Sequence, residues 1–330
     1  MKKTTSIGIV LLFALFSFIS CGKKTPSPKA GTASAEDILS MIPQDAKGVF
    51  FVDIHKAMST EIASKAIEED KNYQKYQEFI EKTGIDPKED IYFLAAAATK
   101  DIGSENKTGV AIINLKYNAD KLISLIKEEI KKEQGELIEK DYNGFTVYST
   151  EKEDKKGAFV FVDASNIVAG IESDVLSVLD VLEKKKENMF KNEALSGLVA
   201  QTNKEAIFWG AMIIPSETMA KATSENPMLR SLESLKSASL FFDYQNNSII
   251  AEIKALSDNE EKNKQVADLL NGIKAMGAMA SAEKPEIGEL MDRVEISYAA
   301  DHVKISANIP EELVNKLKEM QQKKEIVEKP

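Results

Sequence analysis

The sequence predicts an α+β fold of two related domains, each an antiparallel-rich sheet with helices packed mainly on one face. Three observations lead to this class. Short apolar runs rich in β-branched and aromatic residues alternate along the chain with stretches of helical apolar spacing. Several of these runs are separated only by short polar turns, which is typical of antiparallel hairpins. The order of elements in the first half of the chain recurs in the second half.

The chain opens with a stretch that has the three parts of an export signal. Lys2 and Lys3 precede an apolar run over residues 7–18, and a small residue stands directly before Cys21. Residues 18–21, with the sequence FISC, resemble a bacterial lipobox. The resemblance implies cleavage before Cys21, acylation of its thiol and of its new amino group, and a body held at a membrane by lipid.

The predicted organisation of the chain has six parts. They are a signal peptide (1–20), the lipidated Cys21 with a flexible tether (21–35), a first α+β domain (36–186), a linker (187–204), a second α+β domain (205–320) and a frayed tail (321–330). The tether lacks apolar periodicity and has a reach of roughly 20 Å. The lipobox implies a place in the cell envelope, facing the periplasm or the outside.

The first domain is predicted from its apolar runs and turn signals. Strands are expected over residues 48–54, 91–99, 108–115, 159–162 and 167–171, with a further hairpin over 135–149. Asn143 and Gly144 supply the positive φ angles of a tight primed turn in that hairpin. Asn118 is expected to cap a helix, since Leu122, Ile126 and Ile130 follow it at helical spacing.

The second domain is predicted to repeat the first. Residues 206–212 match the first strand in kind, a helix follows over 216–235, and a hairpin is expected around 245–247. Ser257 and Glu260 indicate a capping box for a further helix that ends near Met276, where Gly277 is expected to interrupt it. Residues 158–183 lie without gaps over residues 294–319, and both segments have the pattern of strand, turn, strand and helix. This correspondence predicts an internal duplication.

The charge of the chain argues against nucleic acid as a partner. The formal net charge is -10, from 43 basic and 53 acidic residues. Removal of residues 1–20 takes away Lys2 and Lys3 but no acidic residue, so the mature chain carries -12. A nucleic-acid binder needs clustered basic side chains to displace counterions from phosphates. A composition of 43% hydrophobic and 29% charged residues is typical of a globular protein.

No catalytic, metal or cofactor motif is predicted. His55 and His302 are the only histidines, and neither has the spacing of a metal site. Cys21 is the only cysteine, which excludes disulfides within the chain and zinc thiolate clusters. Asp53 ends an apolar strand, a common position for catalytic groups, but its counterpart in the second half is Ala211. The chain is therefore expected not to be an enzyme.

Aromatic pairs and methionines are the candidate ligand contacts. The residues that could line an apolar pocket are Phe50, Phe51, Phe208, Trp209, Phe241, Met276 and Met279. Adjacent strand residues point to opposite faces, so each aromatic pair needs cover on both faces of the sheet. Core packing is the commoner explanation for such pairs, and gap-filling is the commoner explanation for methionine.

Three motifs resemble the opening of an uncharacterised family of exported bacterial proteins. They are IPQDA at 42–46, VFFVD at 49–53 and GIDP at 84–87. The resemblance covers mainly the first hundred mature residues. It implies an α+β body outside the cytoplasm and transfers no catalytic residues.

The function expected from the sequence is that of a lipid-anchored extracytoplasmic binding or structural protein without catalytic activity. The alternative is a carrier of apolar or lipid ligands in the envelope, and an envelope hydrolase is the third possibility. The expected partners are a membrane, through the lipid on Cys21, and an unidentified protein or lipid ligand.

Overall fold

The computed structural model describes residues 33–68, 73–99, 109–132, 135–152, 155–225, 227–279 and 284–327. The predicted signal peptide, Cys21 and nearly all of the predicted tether lie outside these residues. The described chain divides into two compact units, unit 1 up to Glu193 and unit 2 from Ala194 onward. Within the described ranges, no helix is both long and apolar enough to cross a bilayer.

Unit 1 is built on a seven-stranded antiparallel sheet. Its strands are β1 (Gly48–Asp53), β2 (Ile91–Ala98), β3 (Val110–Leu115), β4 (Ile138–Tyr142), β5 (Phe145–Lys152), β6 (Lys155–Phe161) and β7 (Asn166–Ile171). Its helices are α1 (Ala35–Leu39), α2 (Ile54–Met58), α3 (Glu61–Glu68), α4 (Tyr73–Thr83), α5 (Pro87–Asp90), α6 (Ala119–Lys132), α7 (Glu172–Leu182) and the 3-10 helix η1 (Met189–Lys191). The strand order is β1-β2-β3-β7-β6-β5-β4, and neighbouring strands are antiparallel.

Helix α6 covers one face of this sheet. The side chain of Asn118 accepts a hydrogen bond from the backbone N–H of Lys121 at 2.9 Å, which is the predicted N-cap. The apolar residues of α6 recur every three or four positions and are buried against the sheet; they are Leu122, Ile123, Ile126 and Ile130. Ile113 and Ile167 lie beneath them in the same apolar cluster. The amphipathic pattern of α6 therefore produces the core of unit 1.

Helix α7 contacts β6 and β7. The apolar side chains that point away from α6 on these strands, such as Val160 and Val168, are fully buried, as are Val175 and Leu179 of α7. In unit 1, helices thus lie over both faces of the sheet.

Unit 2 is built on a five-stranded antiparallel sheet. Its strands are β8 (Phe208–Ile213), β9 (Ser237–Gln245), β10 (Ser248–Leu256), β11 (Val294–Ala299) and β12 (His302–Pro310). Its helices are α8 (Glu193–Gln201), α9 (Ser216–Glu225), η2 (Pro227–Ser234), α10 (Glu260–Met279), α11 (Pro285–Asp292) and α12 (Glu311–Val327). The strand order is β8-β9-β10-β12-β11.

The two units share one topology. In chain order, β8, β9, β10, β11 and β12 correspond to β1, β2, β3, β6 and β7, and the strand orders of the two sheets then agree. The β4-β5 hairpin is an addition at the edge of unit 1. A helix follows the third strand in each unit, α6 or α10, and another follows the last strand, α7 or α12. The α+β class with antiparallel sheets is confirmed.

Tight turns join two of the predicted hairpins, and the one at Asn143 and Gly144 is of the predicted primed kind. Asn143 and Gly144, between β4 and β5, have φ angles of 56° and 83°. Asn246 and Asn247, between β9 and β10, have φ angles of 50° and 55°. Positive φ at both central residues matches the right-handed twist of the flanking strands, and Asn and Gly tolerate it best.

Two segments are more regular than the sequence suggested. The predicted linker, 187–204, is folded, because Met189, Leu195 and Leu198 are buried on η1 and α8. The predicted frayed tail at 321–330 is helical as far as Val327, since its Gln, Lys and Glu residues favour helix.

Helix α10 differs from the prediction at both ends. It runs through Gly277, where an added Cβ would lie 3.1 Å from the sulfur of Met291, so glycine allows α11 to approach closely. At its start the N-cap is Asn259, whose side chain accepts from the backbone N–H of Lys262 at 3.0 Å. The sequence had indicated a capping box of Ser257 and Glu260 at this position.

Candidate functional site

One face of the unit 2 sheet is entirely uncharged. Residues directly opposite each other in an antiparallel pair share a face. The register places on this face Phe208, Gly210 and Met212 of β8, Ala238, Leu240, Phe242 and Tyr244 of β9, Ile249, Ala251, Ile253 and Ala255 of β10, Val303, Ile305, Ala307 and Ile309 of β12, and Val294, Ile296 and Tyr298 of β11. We call it the apolar face. Its only side-chain polar atoms are two tyrosine hydroxyls.

The opposite face of β10, β12 and β11 is polar. It carries Glu252 and Lys254 of β10, Lys304 of β12 and Glu295 of β11. A sheet with this alternation normally packs its apolar side into a core. The apolar face is thus the one expected to be covered.

The cover of the apolar face is incomplete. Val303 is buried, but Ile253, Phe242 and Tyr298 are 44%, 37% and 42% exposed. Strand β10 is the middle of the five strands, so the exposed Ile253 lies at the centre of the sheet and not at a rim. An uncovered apolar centre is unusual in a monomeric domain.

The position of α10 explains the gap. Val266 and Ala267 of α10 pack on Val303, with Leu270 and Ile296 beside them. The side-chain amide of Asn263 donates to the carbonyl oxygens of Ala299 and Ala300 at 3.0 and 3.2 Å, and the ammonium of Lys274 donates to the carbonyl oxygen of Val294 at 2.7 Å. These contacts hold α10 along β11 and β12, to one side of the sheet centre.

The last nine residues of α10, Asn271–Met279, form a second exposed apolar surface. We call this segment the methionine end. Met276 and Met279 are 60% and 79% exposed, and Ile273 is also exposed. Lys274 is the only charged residue in the segment, and its ammonium bonds to the backbone of β11. The first half of α10, in contrast, carries five charged residues between Glu260 and Asp268.

Charged side chains near the apolar face are paired with one another. Lys264 of α10 lies 2.8 Å from Asp268, and this hydrogen bond raises the pKa of Lys264. Lys236, before β9, pairs with Asp258, and the bond holds the pKa of Asp258 below its usual range. The hydroxyl of Tyr244 donates to the carboxylate of Glu311. The surroundings therefore offer paired charges of both signs.

The structure separates the residues predicted to contact a ligand. Phe51 and Trp209 are buried in the core, and Phe241 lies opposite Trp209 on the polar side of the unit 2 sheet. Phe50 is half-buried in unit 1. Phe208 lies on the apolar face beside Phe242. Met276 and Met279 are exposed on the methionine end.

Sequence reasoning missed Ile253 and Tyr298 at the open centre. The signal that could have found them is the alternation along β10, where Ile249, Ala251, Ile253 and Ala255 share one face. That alternation identifies an apolar face, although it does not tell whether a helix covers it.

The remaining candidates for a site are the acidic residues and the two histidines. The described residues contain no group of three or more His, Asp or Glu side chains arranged to hold a metal ion. The Nδ1 atom of His55 lies 3.2 Å from the carbonyl oxygen of Lys88, and Nδ1 of His302 lies 2.6 Å from the carboxylate of Asp301.

Unit 1 has a shallow cleft of about 490 Å³ between α6 and β4. Lys127 and Glu139, which line this cleft, form an ion pair at 2.8 Å.

Comparisons with known proteins add a likeness in fold only. No family model matches the chain, and no curated protein sequence matches it. Solved structures of TP0453 are similar: crystal form III has 12% identity and a TM-score of 0.43, covering 84% of this chain and 95% of that one. Crystal form I has 11% identity and a TM-score of 0.42, covering 86% and 96%.

Proposed function

We propose that this chain is a lipid-anchored extracytoplasmic binding protein, and that the open apolar face of unit 2, with the adjoining methionine end of α10, binds an apolar ligand. The observation that carries the proposal is the exposure of Ile253 at the centre of an otherwise uncharged sheet face. A ligand that covers this centre removes apolar surface from water at about 25 cal/mol per Å².

The size of the face favours a small ligand over a protein partner. Five strands about 4.8 Å apart and four residues per strand on one face give an area of roughly 20 Å by 20 Å. Part of that area is already covered by α10. A stable protein–protein interface needs about 800 Å² from each partner, which is more than the open part provides.

The chemistry of the face favours a hydrocarbon chain. Strands β9, β10 and β12 are each paired on both sides, so their backbone N–H and C=O groups are already bonded within the sheet. The occupant can therefore make few hydrogen bonds, and any polar group that it buries there goes unsatisfied. An acyl chain meets this condition.

The anchoring part of the proposal rests on Cys21 and the stretch before it. Residues 22–32 separate Cys21 from the first described residue, Ala33, and would tether the folded units close to the membrane. A binding protein held there has lipids within reach. The proposal assigns no catalytic role to the chain.

A charge placed at the centre of the face tests the binding surface. In the mature chain with Cys21→Ser, we expect Ile253→Glu to weaken binding of the neutral fluorescent probe N-phenylnaphthylamine at least tenfold. The matched control is Lys254→Glu, which places the same side chain on the opposite face of the same strand. Equal probe affinity in the two variants, with circular dichroism like that of the unsubstituted protein, would contradict the proposed surface.

The anchor has a separate test. Cys21→Ser is expected to abolish palmitate labelling and to release the protein from the membrane fraction of the cells that make it. Membrane attachment without labelling of the unsubstituted protein would refute the lipid anchor and leave the binding surface untouched.

A further inference from the structure

Met276 and Met279 are the most exposed of the methionines whose exposure the structure describes. They are 60% and 79% exposed, whereas Met189 is fully buried. Met212 and Met291 are half-buried. Gap-filling, the usual role of methionine in a protein interior, does not explain two neighbouring thioethers that reach solvent.

We propose that Met276 and Met279 form an oxidation site, at which peroxides convert the thioethers to sulfoxides and thereby weaken ligand binding by unit 2. The second half of this inference rests on the proposed binding function, and the first half stands without it. The assigned reagent class is hydroperoxides, with hydrogen peroxide as the simplest member.

The reaction needs only solvent access to sulfur. A lone pair of the methionine sulfur attacks one peroxide oxygen, the O–O bond breaks, and the sulfur–oxygen bond of the sulfoxide forms. The proton of the attacked oxygen passes, through solvent, to the departing oxygen. The sulfur loses two electrons, and hydrogen peroxide is reduced to water. Burial blocks the approach of the peroxide, so the exposed pair reacts before Met189.

The fold tolerates this modification. Both side chains are more than half exposed and lie outside the apolar cluster formed by Val266, Ala267 and Val303. The bonds that fix α10 to β11, from Asn263 and Lys274, involve no methionine. The added polarity therefore falls on the surface of the helix, and the packing of unit 2 is retained.

The consequence for binding follows from the position of Met276. Leu269, Ile273 and Met276 are spaced by four and three residues, so they form one stripe along α10. The same helix packs beside the apolar face through Val266 and Leu270. A sulfoxide turns a flexible apolar side chain into a polar one, and an apolar ligand lying against it loses contact area.

Peptide mass spectrometry during a hydrogen peroxide titration tests the site. In the mature chain with Cys21→Ser, we expect sulfoxide to form at Met276 and Met279 at least tenfold faster than at Met189. As sulfoxide accumulates at Met276 and Met279, the affinity for N-phenylnaphthylamine should fall several-fold. It should recover on treatment with methionine sulfoxide reductases. Oxidation of the pair at the rate of Met189 would overturn the inference.

The double variant Met276→Leu with Met279→Leu is the control for the effect on binding. Whatever its starting affinity, we expect peroxide to leave that affinity unchanged, because leucine has no sulfur. An equal loss in the double variant would assign the effect to other residues and refute this part of the inference. If the unsubstituted protein binds no probe, the proposed function is wrong. The oxidation rates of Met276, Met279 and Met189 still show whether the exposed pair is an oxidation site.

Discussion

Unit 1 and unit 2 place the same three side chains across the middle of their sheets. The row in unit 1 is Leu94, Ile113 and Ile167, and the row in unit 2 is Leu240, Ile253 and Ile305. Ile113 is 5% exposed, and Ile253 is 44% exposed. Strand order and local sequence are alike, so the difference arises from the helix that follows the third strand of each unit.

Helix α6 and helix α10 use their apolar residues differently. Four aliphatic side chains of α6 are buried in the core of unit 1. Helix α10 is longer, but its buried apolar residues are only Val266 and Ala267, and its last turns project as the methionine end. The comparison indicates that one topology, present in both units, can enclose its sheet centre in one unit and leave it partly open in the other.

The largest expected contrast lies in the helices. Ile126→Lys in α6 places an unpaired charge in the core and should lower the free energy of unfolding of unit 1 by more than about 3 kcal/mol. Ile273→Lys in α10 makes the same change on an exposed surface and should cost less than about 0.5 kcal/mol. Hydrogen exchange of strand amides in each unit measures both. A large cost at Ile273 would mean that the methionine end is part of a core.

A smaller contrast is expected between the two sheet centres. Ile113→Ala should cost about 2–5 kcal/mol, because it leaves a cavity beneath α6. Ile253→Ala removes a half-exposed side chain and should cost about 1 kcal/mol or less, since little buried surface is lost. Hydrogen exchange measured at increasing denaturant concentration gives the loss of stability that each substitution causes. Similar costs at the two positions would show that the face of unit 2 is closed in solution.

The smallest effect concerns the helix starts, where the units are alike. Asn118 and Asn259 each accept a bond from the backbone N–H three residues on, at 2.9 and 3.0 Å. Replacement of either by Ala should cost about 1 kcal/mol. If both substitutions lower thermal stability equally, the two units differ in how the helix packs on the sheet and not in how well it forms. Markedly unequal losses would locate the difference between the units in helix formation.

Much of the fold could be predicted from local sequence. Some features depend only on neighbours within a few residues and can be predicted from local sequence: the alternating strands, the Asn143-Gly144 turn and the Asn118 cap. The candidate site could be predicted only in part. Met276 and Met279 are exposed as a ligand surface requires, whereas Phe51 and Trp209 belong to the core. An aromatic residue on a strand offers apolar surface whether it packs in a core or contacts a ligand. The sequence alone therefore does not distinguish core packing from ligand contact.

The sequence by itself determined the α+β class, the repeated order of elements and the uncharged face of β10, because each follows from spacing along the chain. Only the tertiary structure decided that this face is open at Ile253. That outcome depends on where α10 docks, and contacts from Asn263 and Lys274 to backbone carbonyls more than 15 residues away hold it to one side. Periodicity specifies which side of a helix is apolar, and long-range contacts specify what that side covers.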